Sequence, residues 1–145
     1  MSTTSNLKDL VELLNDGEKF YDEAATKVKT SAYADLFRRM ARQKQAIASD
    51  LSARLAAYGE TAPQGGTMLG SLRKFYTDMR ASMTKDNEAV YVAQLEQTED
   101  RILEAFRDDL TQSEDMELRR IAERHYPDLK RTHDEMRDLK RRLAA

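Results

Sequence analysis

Residues 13–25 read LLNDGEKFYDEAA. Apolar residues return at Leu14, Tyr21 and Ala24, the spacing of one helix face. Between them Gly17 stands where a large apolar side chain is expected, and Glu18 adds a carboxylate beside it. Extended in both directions, the seam is Leu7, Leu10, Leu14, Gly17, Tyr21, Ala24 and Val28, with Val11, Glu18 and Ala25 along its flank. Steps of three and four alternate, as in a helix bundle. A helix is predicted over 6–29, with Asn6 as its cap and Asp9 completing a capping box.

Three further long segments repeat this pattern. A corner at Thr30-Ser31 leads to a second helix over 32–58, with the stripe Tyr33, Phe37, Met40, Gln43 or Lys44, Ile47, Leu51, Leu55 and Tyr58. So short a link makes the two helices antiparallel neighbours. GETAPQGGT, residues 59–67, is the only Gly/Pro-rich stretch, and Gly59 suits the residue after a helix end. A shorter helix is expected over 68–83, with Met79 and Met83 as core filler. TKDN, residues 84–87, breaks it. A third long helix follows over 88–110, with the stripe Val92, Leu95, Glu99, Ile102 and Phe106. Thr111-Gln-Ser-Glu114 reads as a capping box for a fourth helix running to Leu143. Its seam is Leu118, Ala122, His125, Leu129, Thr132, Met136, Leu139 and Leu143, with a kink expected before Pro127. Two helical hairpins joined by a long connection give an all-α, ferritin-like four-helix bundle, expected as a single domain over 1–145.

Composition agrees with that architecture. The 145 residues are 40% hydrophobic and 34% charged, enough apolar material for one core under a heavily charged exterior. Five Gly and two Pro leave few breaks. With no Cys, thiolate metal sites, disulfides and Cys catalysis are excluded, and a cytoplasmic address is expected. No apolar run approaches the roughly 20 residues that span a bilayer, and MSTTSNLKDL lacks the pattern of a signal peptide. A net charge of −2 argues against nucleic acid as partner. Lys140-Arg141-Arg142 complements the dipole at the end of the last helix. There is no phosphate-binding glycine loop after a strand, and no Ser–His–Asp arrangement.

The polar residues at mid-helix depth are the candidate site. Glu18, Gln43, Glu99, Thr132 and His133 fall near the midpoints of four helices of similar length. Buried charge must pair, bind metal, protonate or reach water. A carboxylate-bridged di-iron or di-manganese centre takes a Glu from each of two helices and Glu-x-x-His from each of the other two. Glu18 and Glu99 suit the single glutamates. Gln43-Lys44-Gln45-Ala46 has Gln for Glu and Ala for His, and Lys130-Arg131-Thr132-His133 has Lys for Glu and keeps the His. The two-metal centre is therefore not expected, and no cofactor is. Three readings of the layer stay open. Glu18 and Glu99 meet His133 or Lys44 in a hydrogen-bonded polar cluster, or Glu99 sits at the seam edge and reaches solvent, or Glu18, Glu99 and His133 hold one iron, manganese or zinc ion with Gln43 as a poor fourth ligand. His125 and His133 lie about 12 Å apart along a straight helix and do not share an ion.

LNDGEKFYDEAA (14–25), LEQTEDRILEAFRDDL (95–110) and THDEMRDLK (132–140) resemble a group of small bacterial ferritin-like four-helix-bundle proteins of unknown function. That group is related in fold to stress-associated ferritin-like proteins. His133 matches its fourth-helix histidine, and Glu99-Asp100 its third-helix acidic pair. The resemblance implies the fold but no activity, substrate or metal. The expectation is a non-catalytic, stress-associated protein that works through protein association. It is expected to form a homodimer, with residues 68–83 and the outer helix faces as interaction surfaces.

Overall fold

The computed structural model describes residues 3–63 and 88–144, and within them the chain is all helix with no strand. Four helices are present among the described residues: α1 (Thr3–Lys27), α2 (Ser31–Ala57), α3 (Glu88–Ala105) and α4 (Met116–Ala144). The last turn of α3 widens into a π-helical turn, Phe106–Leu110. The helix expected over 68–83 and the break at 84–87 lie outside the described residues.

The helix ends follow from local chemistry. α2 stops at Gly59, whose φ of 76° is readily available to glycine. The amide of Gly59 donates to the Ala56 carbonyl and that of Glu60 to the Leu55 carbonyl, which satisfies the last turn. α1 begins at Thr3, so Asn6 sits inside the helix rather than capping it. α4 begins later than the Thr111–Glu114 box suggests. Its cap is Asp115, whose Oδ1 accepts from the amides of Glu117 (2.9 Å) and Leu118 (3.4 Å). The Thr111 hydroxyl turns back to the Arg107 carbonyl, and Ser113 Oγ accepts from the Asp115 amide. Pro127 lies within α4, which stays helical through it.

Contacts at the ends fix the helix directions. Glu88, first residue of α3, accepts from the amides of Lys29 (3.0 Å) and Thr30 (2.9 Å) at the α1–α2 corner. Arg54, near the end of α2, donates twice to Asp115 at the start of α4, at 3.0 and 2.8 Å. α1 packs beside α2 and α3, and α4 beside the same two. Each of these neighbours is antiparallel, and the chain leaves α2 at one end of the bundle and enters α3 at the other. Beyond Gly59 the chain first lies along α1: Lys8 pairs with Glu60 at 2.8 Å, and the Asn15 amide donates to the Pro63 carbonyl at 3.0 Å.

The core sits on the seams read from the sequence. Leu7, Leu10, Leu14, Tyr21 and Ala24 meet Phe37, Met40, Ile47, Leu51 and Leu55, with Val92, Leu95, Ile102 and Phe106 opposite Leu118, Ala122, Leu129, Met136 and Leu139. All are buried. Tyr58, at the far end of the α2 stripe, is exposed. α1 also buries Leu13 and Phe20, which lie off the seam.

Candidate functional site

At mid-bundle depth the apolar seams give way to one polar cluster. Gly17 lies on α1 where its missing side chain leaves room: a Cβ there would come within 3.7 Å of Lys44 Cγ and 3.4 Å of Thr98 Cγ2. The Lys44 stem uses that space. Its ammonium is fully buried and lies 2.9 Å from Glu99 Oε1 and 2.7 Å from Oε2. The Gln43 side-chain oxygen accepts a further bond from Nζ, and the Tyr21 ring lies beneath it, 5.5 Å from Nζ to centroid. Thr132 on α4 donates to Glu99 Oε1 at 2.8 Å. All four helices thus contribute to one compact cluster around a single ion pair.

Electrostatics follow the burial. Removal from water pushes the Lys44 ammonium below its ordinary pKa, and the Glu99 carboxylate pulls it back up. Burial raises the Tyr21 phenol well above its ordinary value, and the neighbouring Glu99 charge adds to the rise. Among the described residues the Tyr21 hydroxyl nevertheless has no hydrogen bond of good geometry.

Of the residues expected to form a metal site, the structure brings none of Glu18, Glu99 and His133 together as a set. Glu18 is half-buried at the flank of α1. Burial raises its pKa, Arg42 and Lys19 lower it and Asp22 raises it, which places it at the charged outer edge between α1 and α2. Glu99 is committed to Lys44 and Thr132. Gln43 serves Lys44 as an acceptor. His133 turns away from the interior: Nε2 faces Asp100 Oδ1 and Nδ1 faces Asp134 Oδ1, the latter at 3.0 Å. Among the described residues one group of three potential ligands does converge, Glu96, Asp100 and His133, with one donor atom from each within 4.8 Å of the others. Only His133 belongs to both sets. The signal for the other two was the i, i+4 spacing of Glu96 and Asp100, which places them on one face of α3. His125 is separate: Nε2 meets Asp50 Oδ2 at 2.6 Å and ties α4 to α2.

A carboxylate-bridged two-metal centre does not fit this interior. Among the described residues, the groups gathered around Lys44 are the Glu99 carboxylate with Thr132 on it, the Gln43 amide oxygen and the Tyr21 ring, and the cation they serve is the Lys44 ammonium. A metal ion beside Glu99 would stand against that charge at contact distance.

A family model, described as a domain of unknown function (DUF2383), matches residues 2–112. The chain belongs to that family. The DUF2383 match takes in Gly17, Tyr21, Lys44, Glu96, Glu99 and Asp100, whereas Thr132 and His133, on α4, lie beyond it. No curated protein and no solved structure matches the chain. No helix among the described residues is long and apolar enough to cross a membrane.

Proposed function

We propose that this DUF2383 protein is a ferritin-like bundle, a single domain over 1–145, whose interior is structural and non-catalytic. It acts through its outer surface, by association with protein. The observation that carries this reading is the Lys44–Glu99 pair. An ammonium held by both oxygens of one carboxylate, an amide oxygen and an aromatic face supplies the positive charge that such a polar layer requires. The helix directions support the ferritin-like assignment, since a long crossover is needed to enter α3 from the corner end. A stress-associated role and a homodimer are proposed with it, on the resemblance of residues 14–25, 95–110 and 132–140 alone.

The test uses the full chain, stripped with chelator and supplied with ferrous ion in air. Neither iron retention nor ferrous oxidation should depend on Glu99. One iron per chain, lost in Glu99→Gln while His133→Ala retains it, would overturn the structural reading of the interior. Light scattering on the same sample should give the mass of two chains. A monomer at high concentration would remove self-association from the proposal.

A further inference from the structure

Glu96 lies on the face of α3 that meets α4, with only 10% of its side chain exposed. A carboxylate so nearly buried needs a full set of partners. Among the described residues it has one hydrogen bond, from Lys140 Nζ to Oε2 at 3.4 Å, beyond the ordinary range for N–H···O. One turn along α3, Asp100 presents a second carboxylate, 57% exposed, that faces His133 Nε2. The imidazole is aimed there from behind, because its other nitrogen faces Asp134 Oδ1. A carboxylate on the far nitrogen of a ligating histidine orients the ring and raises its basicity. Asp134 is itself held in place by Lys130 at 3.2 Å and Arg137 at 3.4 Å. A nearly buried carboxylate held by one long bond to Lys140, an accessible carboxylate and an oriented imidazole therefore converge between α3 and α4.

We infer that Glu96, Asp100 and His133 form a surface site for one divalent transition-metal ion of the zinc class, clamping α3 to α4. One imidazole nitrogen and two carboxylate oxygens suit such a borderline cation, with water completing its shell. Ions of this class hold neighbouring donors about 3–4 Å apart, at metal–ligand distances of about 2.0–2.2 Å. Small rotations of these side chains bring donors that already lie within 4.8 Å to that spacing. On binding, His133 Nε2 and Asp100 turn from each other to the ion, any proton on Nε2 leaves to solvent, and the Lys140 ammonium gives up its contact with Glu96. Asp100 opens the site to water and provides the way in. This inference is independent of the reading of the interior, since neither Lys44 nor Glu99 takes part.

The experiment is calorimetric titration of chelator-stripped full-length protein with zinc ion alone, with helical content checked by circular dichroism. One ion per chain is expected. Affinity should fall at least about tenfold in Asp100→Asn and in His133→Ala, and about tenfold in Asp134→Asn, which touches only the back of the ring. Lys140→Met removes a competing cation and should tighten binding, by up to about fivefold for so exposed a pair. Glu99→Gln should leave it unchanged. No binding by the wild-type chain, or binding undiminished in both Asp100→Asn and His133→Ala, overturns the site. Asp100 is exposed enough that its variant reads binding rather than folding.

Discussion

A lysine with no exposed side-chain area is costly unless every donor is answered, and Lys44 answers them with Glu99, Gln43 and the Tyr21 ring. Removing one partner strands the other in the core. Lys44→Met and Glu99→Gln should each lower unfolding free energy by about 3–5 kcal/mol, whereas the double variant should lose far less than the sum. Urea denaturation measures this, and simple additivity would mean that the two groups do not act as a pair. Gly17 gives the opposite expectation. A Cβ there meets Thr98 and Ile102 at 3.4 and 3.5 Å, ordinary contact, and Gly within a helix costs about 0.5–1 kcal/mol relative to Ala. Gly17→Ala should be neutral or stabilising by up to that amount, and Gly17→Leu should destabilise by driving a branched side chain into the Lys44 stem. A fall in thermal midpoint for Gly17→Ala would show that even a methyl disturbs the cluster. In the sequence, Gly17 and Glu99 were readable as seam positions because period alone places them. Lys44 was harder, because Gln43 and Lys44 are both close to the α2 stripe and composition favours a lysine in water. The burial becomes favourable only through partners on α1 and α3, and a one-helix pattern does not carry those. Glu18 was ambiguous in the other sense: as the flank of a seam it could turn in or out, and it is half-buried with Arg42, Asp22 and Lys19 as its charged neighbours.

At the scale of elements, the start of α4 concentrates more chemistry in one side chain than any other helix end. Asp115 caps two amides and receives Arg54 and the Tyr58 hydroxyl. Partial burial works to raise its pKa, and those hydrogen bonds overcome it and hold it at about 2, against an ordinary 3.8. The folded carboxylate therefore takes up its proton later than the unfolded one as pH falls. Its contribution is complete above the ordinary value and is lost as pH drops from 3.8 through about 2. The stability gap between wild type and Asp115→Asn should close over that window, since Asn keeps the cap but not the charge. Urea midpoints measured from pH 5 downward check this, and a gap that stays constant would place the effect elsewhere. Helix existence and most boundaries were legible because caps and the Gly59 stop are local signals. The α4 start was displaced because two motifs compete within five residues, and Asp115 prevails through Arg54 on another helix. The burial of Leu13 and Phe20 off the α1 seam was not legible, since a single-stripe pattern assigns each helix one buried face.

For the molecule as a whole, the order and pairing of helices was legible from link lengths. The direction of α3 rested on reading the long connection as a crossover, because it depends on where that connection delivers the chain. The residue that records the answer is Glu88, which binds both amides and the Thr30 hydroxyl at the α1–α2 corner, 58–59 positions earlier in the chain. This contact also has a consequence in time. The α1–α2 hairpin closes over three residues, so it forms early and at low entropic cost. Glu88 can engage only after α3 has been carried to that corner, so its bonds belong on the native side of the folding barrier. Glu88→Ala should therefore leave the refolding rate nearly unchanged and speed unfolding by about fivefold, for a contact worth about 1 kcal/mol. Stopped-flow refolding and unfolding limbs separate the two rates, and a slowed refolding limb would move corner closure ahead of the barrier. On this view Glu88 is a catch rather than a nucleus: it does little to bring the two hairpins together, and it sets how long they stay joined.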